Sequence, residues 1–146
     1  MRHNEVEQAV LKELKQMLGK TIKAVRTDDN RGYISMRKLA DAIHIPVSNL
    51  KYIEDGINAP SPEVYNAIIE NLSVTDAERK EMDLLYSEIR GTPPPDVCKI
   101  VCTNFELNDA LRLIGDEVLT TEQVAEITAL ISSYKQAKKE GAATHG

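Results

Sequence analysis

Apolar residues recur along this chain at steps of three and four, and no stretch alternates strictly. Val6, Val10, Leu14, Met17, Leu18, Ile22 and Val25 share one stripe and predict a helix over residues 4–26, with a kink or break allowed at Gly19. Asp28-Asp29-Asn30-Arg31-Gly32 has turn chemistry and no periodicity, and ends it. Ser35 suits an N-cap for a helix carrying Met36, Leu39, Ala40 and Ile43, and His44-Ile45-Pro46 breaks that pattern. A second short helix, from about Val47 to Asp55, turns Leu50 and Ile53 inward and closes at Gly56. Ser61 as a cap and Pro62 in the first helical position open a fourth, buried through Val64, Ala67, Ile68 and Leu72. Thr75-Asp76-Ala77-Glu78 reads as a capping box opening a fifth helix, which runs through Met82, Leu85 and Ile89 to about Arg90.

Gly91-Thr92-Pro93-Pro94-Pro95 then has no periodicity, and its three prolines lack N–H donors and predict a stiff, extended linker. Three shorter helical patterns follow: Val97, Ile100 and Val101; Leu107, Ala110, Leu111 and Ile114; and Val124, Ile127, Leu130, Ile131 and Tyr134, the last behind a Thr120–Gln123 capping box. From Lys135 the chain turns polar and is expected to fray. With no strand pattern and no repeat, the expected fold is all-α. Its parts are a domain over 1–91, a Pro-rich linker over 92–96, a helical segment over 97–136 and a flexible tail over 137–146.

Composition refines this picture. Aromatic residues make up 4% of the chain, with no Trp, so the core is expected to be mostly aliphatic. No apolar run is long enough to cross a bilayer, and Met1-Arg2-His3-Asn4-Glu5 leads into a charged helix rather than a signal sequence, so a cytoplasmic protein without membrane contact is expected. The net charge of −5 is unevenly spread, because residues 1–60 hold 10 Lys+Arg against 8 Asp+Glu. The acidity therefore belongs to the C-terminal part, and the N-terminal part keeps a balance compatible with a polyanion. Cys98 and Cys102, four apart on a helix, read as buried free thiols. His3, His44 and His145 stand at no spacing that would complete a metal site, so neither metal nor cofactor is expected. No Gly-rich phosphate loop appears, and no nucleophile has a matching base, so an enzyme is not expected.

The stretch from Met36 to Gly56 carries the chemistry. Ala40 must be small where two helices cross, and Leu39, Ile43, Ile45, Leu50 and Ile53 face a shared core. Val47, Ser48, Asn49, Lys51 and Tyr52 are left outward on a helix whose width fits the major groove. This stretch resembles the helix-turn-helix of the Xre/Cro/phage-repressor family, matching its Leu39-Ala40, its turn aliphatic Ile45, its core aliphatic Leu50 and its Ile53-Glu54-x-Gly56 ending. The likeness extends back to Leu18-Gly19-Lys20-x-Ile22-x-x-x-Arg26 and forward to Asn58-Ala59-Pro60-Ser61-Pro62-Glu63. Three positions differ from the family pattern: His44 stands at the left-handed turn position usually held by Gly, Pro46 at the helix cap, and Met36 where a Gln often begins the first of the two helices.

The resemblance implies a five-helix lambda-repressor-like domain followed by a short helical C-terminal extension. It also implies a transcriptional regulator of double-stranded DNA, of the kind found in phages and mobile elements and commonly a dimeric repressor. By the same resemblance, base readout falls to Val47, Ser48, Asn49 and Tyr52, and phosphate contact to Arg31, Arg37, Lys38, Lys51 and Asn58. The segment 97–136 is expected to serve dimerisation or an effector. The alternative is an antitoxin or anti-regulator that works mainly by binding a protein partner through the acidic C-terminal half.

Overall fold

The computed structural model describes residues 2–144, with side chains from Asn4 to Gly141; Met1, His145 and Gly146 lie outside it, as does the side chain of His3. Regular structure among these residues is entirely helical: α1 (Arg2–Arg26), α2 (Met36–Ala42), α3 (Val47–Glu54), α4 (Pro62–Asn71), α5 (Asp76–Arg90), α6 (Pro95–Thr103), α7 (Leu107–Arg112) and α8 (Thr121–Thr144). A single 3-10 turn, Asp29–Arg31, follows α1. Among the described residues no helix is long and apolar enough to cross a membrane. The chain divides into two compact units, Met1–Thr103 and Asn104–Gly146.

Side-chain caps start four of these helices. The Ser35 hydroxyl accepts from the Lys38 amide (3.1 Å) and the Ser61 hydroxyl from the Val64 amide (3.2 Å), with Pro62 in the first helical position. At α5 the Thr75 hydroxyl accepts from Glu78 N while the Glu78 carboxylate accepts from Thr75 N, and Thr120 and Gln123 repeat the device before α8. Each cap satisfies amides that a helix start leaves without partners.

In the first unit α1 packs on α3 and α5, α2 on α3 and α4, and α4 on α6. The core holds Leu18, Ile22 and Val25 of α1, Leu39, Ala40 and Ile43 near α2, Leu50 and Ile53 of α3, and Ile68, Ile69 and Leu72 near α4, closed by Met82 and Leu85 of α5. Two tyrosines join this aliphatic set. Tyr65 and Tyr86 are fully buried and stack with ring centroids 4.3 Å apart. The Tyr65 hydroxyl donates to Asp83 Oδ1 at 2.6 Å, so the ring enters the core without stranding its polar end. Burial, and then this carboxylate, push the Tyr65 phenol well above its ordinary range.

Several expectations need correction. α1 runs unbroken through Gly19, and only its second half is buried, since Val6 and Val10 are 61% and 50% exposed. The apolar stripe of α1 meets the core only from near Leu14 onward. The prolines are not a free spacer: α6 starts at Pro95, packs on α4, and belongs to the first unit, which runs to Thr103 rather than stopping at Gly91. Proline suits the first turn of a helix because the N–H it lacks there has no partner anyway. Cys98 is half-buried and Cys102 exposed, so neither is the buried thiol expected.

In the second unit α8 continues to Thr144 where a tail was expected from 137, carried by the helix-forming run Ala137-Lys138-Lys139-Glu140. Every α8 side chain from Thr121 to Gly141 is exposed.

Candidate nucleic-acid interface

The turn between α2 and α3 is built by backbone hydrogen bonds. Ile45 N donates to Ala40 O (3.0 Å) and His44 N to Asp41 O (3.3 Å), the paired closure of a Schellman motif. That closure needs a left-handed residue just before its last position, and His44 supplies it with φ 59°, the one non-glycine with positive φ among the described residues. The imidazole tolerates this conformation at a modest cost. Ile45 then packs against the core and fixes the direction in which α3 leaves.

α3 begins without a side-chain cap, because Pro46 has no oxygen to offer, although its carbonyl accepts from Asn49 N at 3.0 Å. Its inner face is Leu50 (fully buried) and Ile53; its outer face is Val47, Ser48, Asn49, Lys51 and Tyr52, all exposed. At its end Glu54 is buried against Arg26 of α1. The guanidinium donates to the carboxylate through Nε (3.0 and 3.1 Å) and Nη2 (2.8 Å), and through Nη1 to Ile34 O (3.0 Å). This two-pronged geometry satisfies both charges away from water and ties α1, the turn before α2 and the end of α3 into one body.

Two glycines let α1 come this close. A Cβ on Gly19 would lie 2.5 Å from Ile53 O and closer still to Glu54 O, and one on Gly56 would lie 2.6 Å from the Gln16 Cα. Gly56 also has φ 74°, which ends α3. Beyond it Ile57 N and Asn58 N both donate to Tyr52 O, leaving the Asn58 side chain exposed. The Arg90 guanidinium of α5 donates to the carbonyls of Ala59 (3.1 Å) and Pro60 (2.7 Å), so the loop following α3 is anchored as well.

No family model, curated protein or solved structure matches this chain.

Of the sequence-derived candidates, Val47, Ser48, Asn49, Lys51 and Tyr52 stand together on the open side of α3, and Arg37 and Lys38 are exposed in the first turn of α2. Asn58 is exposed in the loop that follows α3. Arg31 does not belong with them as a free cation. Its guanidinium is paired with Glu78 (2.5 Å) and Asp28 (3.1 Å) and donates to Ser73 O, because the 3-10 turn presents it to the start of α5. Sequence reasoning missed the Arg26–Glu54 pair as a buried device and Gly19 as a contact point. It also missed Arg90 as the anchor of the Asn58 loop and Tyr33, 55% exposed just ahead of the α2 cap. Only Tyr33 left a local signal, an aromatic in a turn beside Gly32.

Proposed function

We propose that α2 and α3 form the helix-turn-helix of a five-helix, lambda-repressor-like DNA-binding domain, and that the protein is a sequence-specific transcriptional regulator acting as a dimeric repressor in the cytoplasm. In this reading α3 lies in the major groove of double-stranded DNA. The observation that carries it is the contrast across α3: a rigid inner side locked by Leu50, Ile53 and the Arg26–Glu54 pair, and an outer side whose five side chains are exposed, Val47 and Tyr52 at 38% and 44%. A reading helix needs both, since base-edge hydrogen bonds discriminate only when the donor is held in place.

Val47 supplies a methyl surface for thymine, while Ser48 and Asn49 supply hydrogen bonds to base edges and Tyr52 reaches along the groove wall. Lys51, Arg37, Lys38 and Asn58 meet phosphates and set register. Arg31 is left out of the phosphate set because its charge is already matched.

The test is a mobility-shift titration of the full chain against its own upstream DNA. Lys51→Ala weakens binding to all sequences alike and lowers the salt slope by about 1, whereas Ser48→Ala costs about 1–3 kcal/mol at one base pair only. Weak, sequence-blind binding at physiological salt would sink the proposal.

A second reading, an antitoxin or anti-regulator working through a protein partner, is favoured by one observation: α3 brings a single cation, Lys51, and no capping side chain. The same titration separates the two.

A further inference from the structure

We infer that α8 is a self-association seam, pairing antiparallel with α8 of a second copy about a twofold axis near Leu130 and Ile131. The inference deepens the proposed regulator, and rests on that reading only for the purpose the pair serves. The seam itself is read from α8.

The helix has 24 residues, about 36 Å of length. Val124, Ile127, Leu130, Ile131 and Tyr134 form a continuous stripe at helical spacing and are 48%, 45%, 54%, 55% and 60% exposed. An apolar stripe of this length on a solvated helix has no stability of its own to offer, because isolated helices draw most of theirs from packing. At roughly 100 Å² of open surface per side chain, the stripe presents on the order of 500 Å² per copy. Two copies face to face then remove about 1,000 Å² from water, the lower end of what a specific interface buries.

The order of residues selects the partner and its direction. Reversing α8 about the midpoint of Leu130 and Ile131 sets Ile127 opposite Tyr134 of the second copy, Val124 opposite Ala137, and Leu130 opposite Ile131. Two of these layers thus match a larger side chain with a smaller one, the aromatic ring lying over a branched aliphatic, and the central layer pairs Leu130 with an Ile131 of equal size. Charge points the same way. The first half of α8 carries Glu122 and Glu126, and the second half Lys135, Lys138 and Lys139 with the single acid Glu140. Antiparallel pairing brings the acidic half of each copy to the height of the basic half of the other and opposes the helix dipoles. Parallel pairing stacks like on like. A twofold seam also supplies the symmetry that paired DNA half-sites require.

The test is sedimentation equilibrium of the full chain without DNA, joined to disulfide trapping. The wild type sediments as a concentration-dependent dimer. Ile131→Asp weakens the association by on the order of 100-fold, since a twofold interface loses the side chain twice, and Ile131→Ala weakens it less. Neither changes the melting of the first unit. With Cys98→Ser and Cys102→Ser in place, Leu130→Cys chains cross-link to each other, and Val124→Cys chains cross-link to Ala137→Cys chains rather than to themselves. A monomer at every concentration, a dimer indifferent to Ile131→Asp, or Val124→Cys chains that cross-link with themselves would each overturn the proposal. Because no DNA is present, a dimer that ignores DNA counts against the regulator and leaves the seam standing, and a monomer that reads its operator does the reverse.

Discussion

Replacing Gly19 by Ala pits helix propensity against packing, and the two effects have opposite signs. In an exposed helix interior the change stabilises by roughly 1 kcal/mol, because glycine is the poorer helix former. At Gly19 the added methyl would sit 2.5 Å from Ile53 O and 2.8 Å from the Glu54 carbonyl carbon, well inside van der Waals contact. Both obstacles are backbone, so no rotamer change relieves them, and α1 and α3 must separate. Separation loosens Leu18 and Ile22 against Leu50 and lengthens the Arg26–Glu54 hydrogen bonds. Overpacking of this kind costs about 1–3 kcal/mol and sometimes more. We expect a net loss of about 2 kcal/mol, or roughly 10 °C in melting temperature for a unit of this size. Gly141, where nothing lies within 4 Å of an added Cβ, is the internal control: Gly141→Ala raises helicity slightly and destabilises nothing. Urea titrations followed by circular dichroism read both variants. A Gly19→Ala protein as stable as the wild type would refute the close crossing, and with it the rigid seating of α3.

Three further outcomes follow from the same region. Glu54→Gln leaves the Arg26 guanidinium buried without a counter-charge and costs about 3 kcal/mol or more in a urea titration, far beyond a surface pair. His44→Gly relieves a left-handed side chain and raises stability by up to about 1 kcal/mol, less whatever the unfolded chain gains in freedom, which a thermal melt detects. The Arg31 guanidinium, and then the Thr75 amide, hold the Glu78 carboxyl down to about 2 from an ordinary 4.5. Since the folded value is the lower, this stabilisation is complete above the ordinary value and disappears as pH falls toward 2. Glu78→Gln should therefore flatten the acid limb of the melting profile between those two pH values while changing its upper part little.

What could be read from the sequence was local. Ser35, Ser61, Thr75 and Thr120 announce helix starts because each cap and its partner lie three residues apart. The inward set Leu39, Ala40, Leu50 and Ile53 follows from a 3.6-residue period. Chemistry that depends on distant segments was illegible or misread. Gly19 looks like a weak point until the end of α3 is seen lying against it, and Arg31 looks like a free cation until Glu78, 47 positions away, accepts from it. Periodicity gave α1 an apolar face over its whole length but could not say where the domain it covers would begin. Tyr65 and Tyr86 were passed over in favour of aliphatic neighbours, since a ring's place in a core depends on a distant acceptor such as Asp83.

The Arg90 guanidinium has a dynamic consequence. By holding the carbonyls of Ala59 and Pro60 from the last turn of α5, it makes the segment around Asn58 open only when that turn opens. Exposed loops ordinarily exchange their amide protons by their own small fluctuations. Here the exchange of the amides at Ile57 and Asn58, both bonded to Tyr52 O, should track α5, so that one arginine converts a floppy connection into part of a larger cooperative unit.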